Sequence, residues 1–313
     1  MQPTSASRDR LVVAHPDRKA QRSLQRLVGA TCPVEVVADL DALATAIDPS
    51  TVVIIDASLA HARPELRKRP ARAWITVPGE GNAPSDGAIT AGLLAAGWDH
   101  VVAHPMPVLA EELLATVQKI LRRNCFGLEK YMAWGAEVRS YTLDDARDRD
   151  GAVAELAKDV VAVGLPDRVG SLVSVIADEL IANALYAAPV DANGTRIRAH
   201  DARDQSRPLH GRDAVTVRWA TDARYLGIEV RDRWGSIDPV AIAKRLAQAG
   251  TQPAATPEGG MGLQLAYACC NQFVIDCAPG ELTEVITLLD VRYKLTELGR
   301  TASFHSFSGD APK

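Results

Sequence analysis

The sequence predicts a chain of two α/β domains, a doubly wound parallel (βα)5 sheet followed by an α+β two-layer sandwich. Three observations predict it. In the first half, five near-continuous apolar runs alternate with amphipathic segments, as expected of strands buried on both faces and separated by helices. From Val138 onward the strand patterns come in pairs joined by short turns, which implies an antiparallel or mixed sheet with its helices gathered on one face. A length of 313 residues is also long for one core. The boundaries follow composition: a flexible N-terminus at 1–9, a first domain at 10–122, an apolar connector at 123–135, a second domain at 136–291 and a C-terminal extension at 292–313.

The first-half strands are LVVA (11–14), VEVV (34–37), VVIID (52–56), AWITV (73–77) and HVVA (100–103). Helical spacing lies between them, as in Leu24, Leu27 and Val28, and in Leu40, Leu43 and Ile47. Asp56 ends the third strand, at the carboxyl edge where such sheets place their sites. In length and strand pattern this half resembles a response-regulator receiver domain, and Asp56 falls where that family carries its phosphoacceptor. The remaining receiver chemistry is replaced. Ala14 and His15 stand where the acidic pair holds Mg²⁺, His104–Pro105 stands in place of Lys-Pro, and Thr76 or Val77 occupies the region of the switch hydroxyl. A lone Asp without its metal or fixed cation is poorly equipped for phosphoryl transfer. The expectation is therefore a receiver-like interaction domain, with Asp56 as a possible phosphoacceptor and with His15 and His104 near it.

In the connector RNCFGLEKYMAWG, the residues Phe126, Leu128, Tyr131, Met132 and Trp134 are too apolar for a free linker. It is expected to be an inter-domain joint or a dimer contact. Beyond it, VRSYTL (138–143) reads as a strand and 151–163 as a helix. Leu172, Val175, Ile176, Leu180, Ile181 and Leu185 then recur at helical spacing in 171–187, with Glu179 and Asn183 stacked one turn apart along the line of Leu172 and Val175. A carboxylate and an amide on that line call for a polar pocket or for solvent. Residues 191–213, with five arginines, read as a solvated polar loop.

Two later stretches sharpen the reading. IEVRDRWGSID (228–238) is a strand ending at Asp232 with a glycine turn at Gly235. EGGMGLQLAYACC (258–270) is a glycine loop opening a helix, a place where unpaired N–H groups converge and favour phosphate. This order of motifs over 136–291 resembles the GHKL ATP-binding superfamily, and the short lid at 244–257 with Gly-Met-Gly is most similar to the anti-sigma-factor serine kinases. The resemblance implies ATP and Mg²⁺ as cofactors. Glu179 matches the catalytic base, Asn183 the Mg²⁺ ligand and Asp232 the acceptor from the adenine amino group. Gly235 falls in the base-binding turn, Gly260, Met261 and Gly262 match the phosphate loop, and Thr283 matches a hydroxyl that supports adenine. It also implies a protein partner, as regulator or phosphorylation substrate, and homodimerisation through the sheet. Trp234 and Ser236 depart from the glycines expected after the Asp, and Glu258 replaces the first glycine of the later loop. A Trp at that place stacks on adenine, shifts the turn or fills the pocket. No histidine occurs between His104 and His200, so autophosphorylation on a histidine-kinase hairpin is not expected.

Composition removes other classes. The formal charge of −4, from 35 basic and 39 acidic residues, argues against a nucleic-acid surface. The N-terminus lacks the pattern of a secretory signal, and by composition no apolar run reaches membrane-spanning length. Five cysteines, two of them adjacent, fit neither a disulfide framework nor a zinc spacing and read as reduced core residues of a cytoplasmic protein. Two function classes result: a regulatory Ser/Thr kinase or ATPase of the GHKL type, and a non-catalytic signalling adaptor.

Overall fold

The computed structural model describes residues 9–79, 87–104, 110–248, 261–292 and 301–312. The chain is mixed α/β and divides into two compact units, Met1–Asn124 with Ser303–His305, and Cys125–Ala302 with Ser306–Lys313.

The first unit is built on strands β1 (Arg10–Ala14), β2 (Val34–Val37), β3 (Thr51–Asp56), β4 (Ala73–Val77) and β5 (His100–Val101), in the order β2-β1-β3-β4-β5 and all parallel. β3 is central, and all six of its residues are buried, as its unbroken apolar run requires. The helices are α1 (Arg18–Val28), α2 (Leu40–Ala46), α3 (Ala57–Ala62), α4 (Gly87–Ala95) and α5 (Ala110–Arg122). The first three begin at Asp17, Asp39 and Asp56, whose carboxylates accept N–H groups of the first turn that have no partner within the helix. Leu24 and Val28 of α1 and Leu113 and Val117 of α5 pack with β1, β3 and β4 in one apolar core. Ser303–His305 adds an antiparallel pairing, Phe304 opposite Val101 and His305 opposite His100. The C-terminal TASFHSF segment is thus a strand with Phe304 and Phe307 both buried.

The second unit is an antiparallel sheet of β6 (Val138–Leu143), β7 (Val215–Thr221), β8 (Tyr225–Asp232), β9 (Gln272–Ala278) and β10 (Leu282–Asp290), ordered β9-β10-β8-β7-β6. Its helices are α6 (Arg149–Ala162), α7 (Asp167–Ala182), α8 (Pro239–Ala247) and α9 (Met261–Cys269). Alternation along β8 assigns the faces. Ile228, Val230 and Asp232 point one way, with their partners Trp219, Val217 and Val215 on β7. Trp219 donates its indole N–H to Asp159 of α6, so this is the helix-covered face. Gly227, Glu229 and Arg231 point the other way, where the connector lies: a Cβ on Gly227 would stand 2.6 Å from Leu128 Cδ1 and 3.2 Å from Met132 Sδ.

Several expectations change. Of the apolar residues on α7, Val173, Ile176, Ala177, Leu180 and Ile181 are buried, whereas Val175 is 40% exposed, because the line through Leu172 and Val175 runs along the edge of the packed face. Val169–Ala187 has the length and hydropathy to cross a membrane, contrary to the expectation; 61% of that window is buried inside the fold, as in a core helix. The expected lid begins inside α8, which Asp238 caps and Pro239 opens; residues 249–257 of that lid, with Glu258 and Gly260, lie outside the described residues. The arginine-rich stretch 191–213 is mostly exposed, as expected of a solvated loop, with Leu209 its one buried residue and with Arg198 paired to Asp213 and Arg207 to Asp201. All five cysteines are free thiols.

Candidate functional site

The candidate site of the second unit is assembled around α7. Bidentate pairing of Arg149 on α6 with Asp178 fixes the rotation of this helix, and the next residue, Glu179, is directed at the first turn of α9. A Cβ placed on Gly262 would lie 2.6 Å from Glu179 Cδ and 3.1 Å from its Cβ, so with glycine here the Glu179 carboxylate rests directly against the first turn of α9. Met261 opens α9.

After Ala182 the helix widens into a π turn, Asn183–Ala187, in which Ala188 N–H donates to Asn183 C=O at 2.9 Å. Such turns absorb an extra residue, and here it re-aims the chain at Asn183. Asn183 itself is half-buried. Ala188, just past the turn, accepts the Ser236 hydroxyl at 2.5 Å, which ties the end of α7 to the segment following Asp232.

Asp232 ends β8 on the helix-covered face and is 4% exposed. Trp234 N–H donates to its Oδ1 at 2.8 Å. Burial raises the carboxyl to about 6, against the opposing pull of the Trp234 and Gly235 N–H groups and the nearby Thr283 hydroxyl. Thr283 stands directly opposite Asp232 in the β8–β10 ladder. Thr283 is 1% exposed, with its side chain against that carboxyl.

Gly235 has φ +55° and its carbonyl accepts Gly280 N–H at 3.0 Å; a Cβ there would meet Gly280 N and Glu281 N at 2.6 Å. The turn is therefore pressed against the β9–β10 hairpin, and Gly235 acts on the site through Asp232. Trp234 is buried, with the Arg212 guanidinium 4.3 Å and that of Arg198 5.8 Å from its ring centroid. Neither arginine contact had a signal in the sequence beyond the arginine-rich composition of 191–213. A cleft of about 340 Å³ lined by Thr216, Arg231, Arg233, Glu281 and Leu282 includes none of Glu179, Asn183, Asp232 or Thr283.

In the first unit Asp56 is 3% exposed. Leu59 N–H donates to Oδ1 at 3.0 Å, and His15 Nε2 lies 3.5 Å from Oδ2. Asp17 N–H donates to His15 Nδ1, which makes that nitrogen the acceptor and leaves the ring proton of the neutral form on Nε2, facing the carboxylate. His104, expected beside Asp56, pairs instead with Glu112 at 3.8 Å, and His305 approaches the same carboxylate at 3.1 Å. Thr76 is fully buried with its hydroxyl on His100 C=O. Among the described residues no group of three or more His, Cys, Asp or Glu side chains could hold a metal ion.

No protein-family model matches this chain, and no curated protein matches it.

Proposed function

We propose that the second unit binds Mg-ATP and transfers its γ-phosphoryl group to a Ser or Thr of a partner protein, as its resemblance to the GHKL superfamily implies. The observation that carries this reading is the convergence on α7: Glu179 against Gly262 at one point, and Asn183 one turn later on the way to Ser236 and the buried Asp232. In this reading Asp232 and Thr283 hold the adenine amino edge, and the α9 N-terminus with Gly260, Met261 and Gly262 receives phosphate. Asn183 supplies one hard oxygen to Mg²⁺, and Glu179 takes the proton of the attacking hydroxyl. Mg-ATP supplies the phosphoryl group and the charge neutralisation that such a transfer needs. The first unit serves as a receiver-like regulatory or interaction domain of a cytoplasmic signalling protein.

Calorimetric titration with ATP and a non-hydrolysable analogue, with and without Mg²⁺, tests the reading. Binding that depends on Mg²⁺ and is lost in Asn183→Ala and Asp232→Ala is the expected result. Absence of heat and of any thermal shift at millimolar ATP would leave the second reading, a non-catalytic adaptor. That reading draws on the enclosure of Trp234 by arginines and on the use of Asp56 as the cap of its own helix.

A further inference from the structure

The 191–213 stretch is mostly exposed, yet it lays guanidinium groups on two aromatic rings of the candidate site. Arg203 and Arg207 stand 4.9 and 5.4 Å from the ring centroid of Tyr186, in the π turn that follows α7. Arg212 and Arg198 stand 4.3 and 5.8 Å from that of Trp234, in the turn that follows Asp232. A cation over a ring is attracted by the negative face of the π-system, and more strongly where water is displaced. Trp234 is only 9% exposed.

Of the four arginines, Arg212 reaches furthest into the site's backbone. Its Nη2 donates to Gly280 C=O at 3.3 Å, and Gly280 N–H in turn donates to Gly235 C=O at 3.0 Å. One side chain therefore touches both the turn after Asp232 and the β9–β10 hairpin against which that turn is pressed. Among the described residues Arg212 pairs with no carboxylate, so its charge is directed at the ring and the carbonyl. The next residue, Asp213, pairs with Arg198 at 2.7 Å and holds this end of the stretch in place. The effect reaches Asp232 through the main chain. Trp234 N–H is bonded to Asp232 Oδ1 at 2.8 Å, so the seat of the Trp234 ring sets the direction of that N–H and of the oxygen it holds.

We propose that Arg212 is a positioning residue for base recognition, which pins the Trp234 ring to the Gly280 carbonyl and thereby keeps Asp232 aimed at the amino group of the base. The assignment rests on the nucleotide reading above. Arg212 touches neither base nor phosphate in this scheme and takes no part in phosphoryl transfer. Its effect is confined to the preference for a base that carries an amino group, and the ring of Trp234 acts as a strut for the turn.

Calorimetric titration in the presence of Mg²⁺ tests this by comparing ATP with purine riboside triphosphate, which lacks the amino group of adenine and is otherwise the same ligand. A hydrogen bond to a charged carboxylate is worth about tenfold or more in affinity, and the wild type is expected to prefer ATP by about that factor. Arg212→Ala is expected to shrink the preference to about threefold or less through weaker ATP binding, with affinity for the analogue within about twofold of wild type. A general loss of stability would weaken both ligands alike, so the ratio separates positioning from folding. Trp234→Leu is expected to repeat the effect of Arg212→Ala, and the double variant to add nothing further. Arg212 is exposed, so Arg212→Ala decides the matter even if Trp234→Leu does not fold. A wild-type preference that survives in Arg212→Ala overturns this proposal alone. A wild type that binds ATP without the preference, or does not bind it, overturns the reading of Asp232 and the role of Arg212 with it.

Discussion

Glu179 occupies the space that any side chain at position 262 would need. Gly262→Ala is therefore expected to push the carboxylate away from the α9 N-terminus. In an open helix the same change would stabilise by about 1 kcal/mol through propensity alone. Here that gain is offset by the clash, and the expected signature is an unchanged or lower melting midpoint. In Glu179→Ala/Gly262→Ala, with the obstacle removed, the midpoint is expected to rise above that of Glu179→Ala. Thermal denaturation of the four proteins measures this cycle, and additivity of the two changes would show that the residues do not touch.

Asp232 titrates upward on folding, and the sign of its contribution is fixed by that direction. The native state holds the proton more tightly, so the stabilisation is complete below the ordinary value of 3.8 and is lost as pH rises through about 6. A shift of this size corresponds to about 3 kcal/mol. Asp232→Asn has no such loss, and its stability relative to wild type is expected to improve by up to that amount between about pH 4 and about pH 7. Urea midpoints at the two pH values test it; a gap that does not change with pH would mean that the carboxyl is solvated.

Asp56 already caps its own helix and faces His15. Incubation of the full chain with acetyl phosphate and Mg²⁺ is expected to leave its intact mass unchanged. Asp56→Ala is expected to cost about 1 kcal/mol as a lost N-cap. A phosphoryl adduct that disappears in Asp56→Asn would establish Asp56 as a phosphoacceptor.

Leu128 is fully buried between the connector and Gly227. Leu128→Ala leaves a cavity in a site bounded by a rigid sheet, with an expected cost of about 2–5 kcal/mol by chemical denaturation. A cost below about 1 kcal/mol would mean that the connector can leave the sheet without loss.

The sequence alone determined the strands from β1 (Arg10–Ala14) to β10 (Leu282–Asp290), to within a residue or two at their ends, because their periodicities are local and each short run carries its own signal. It also determined that Glu179 and Asn183 share one edge of a helix, since four residues make one turn. Tertiary structure decided what those residues meet. Whether Gly262 or another residue lies against Glu179, that Thr283 stands opposite Asp232, and that His104 turns to Glu112 are matters of register and packing between segments far apart in the chain. The connector shows the same division. Its apolar composition announced that it would pack, but the partners that hold it, Glu229 and Glu284, lie about a hundred residues or more further along the chain. They are buried because the connector covers them, and no local pattern records a surface that another segment covers.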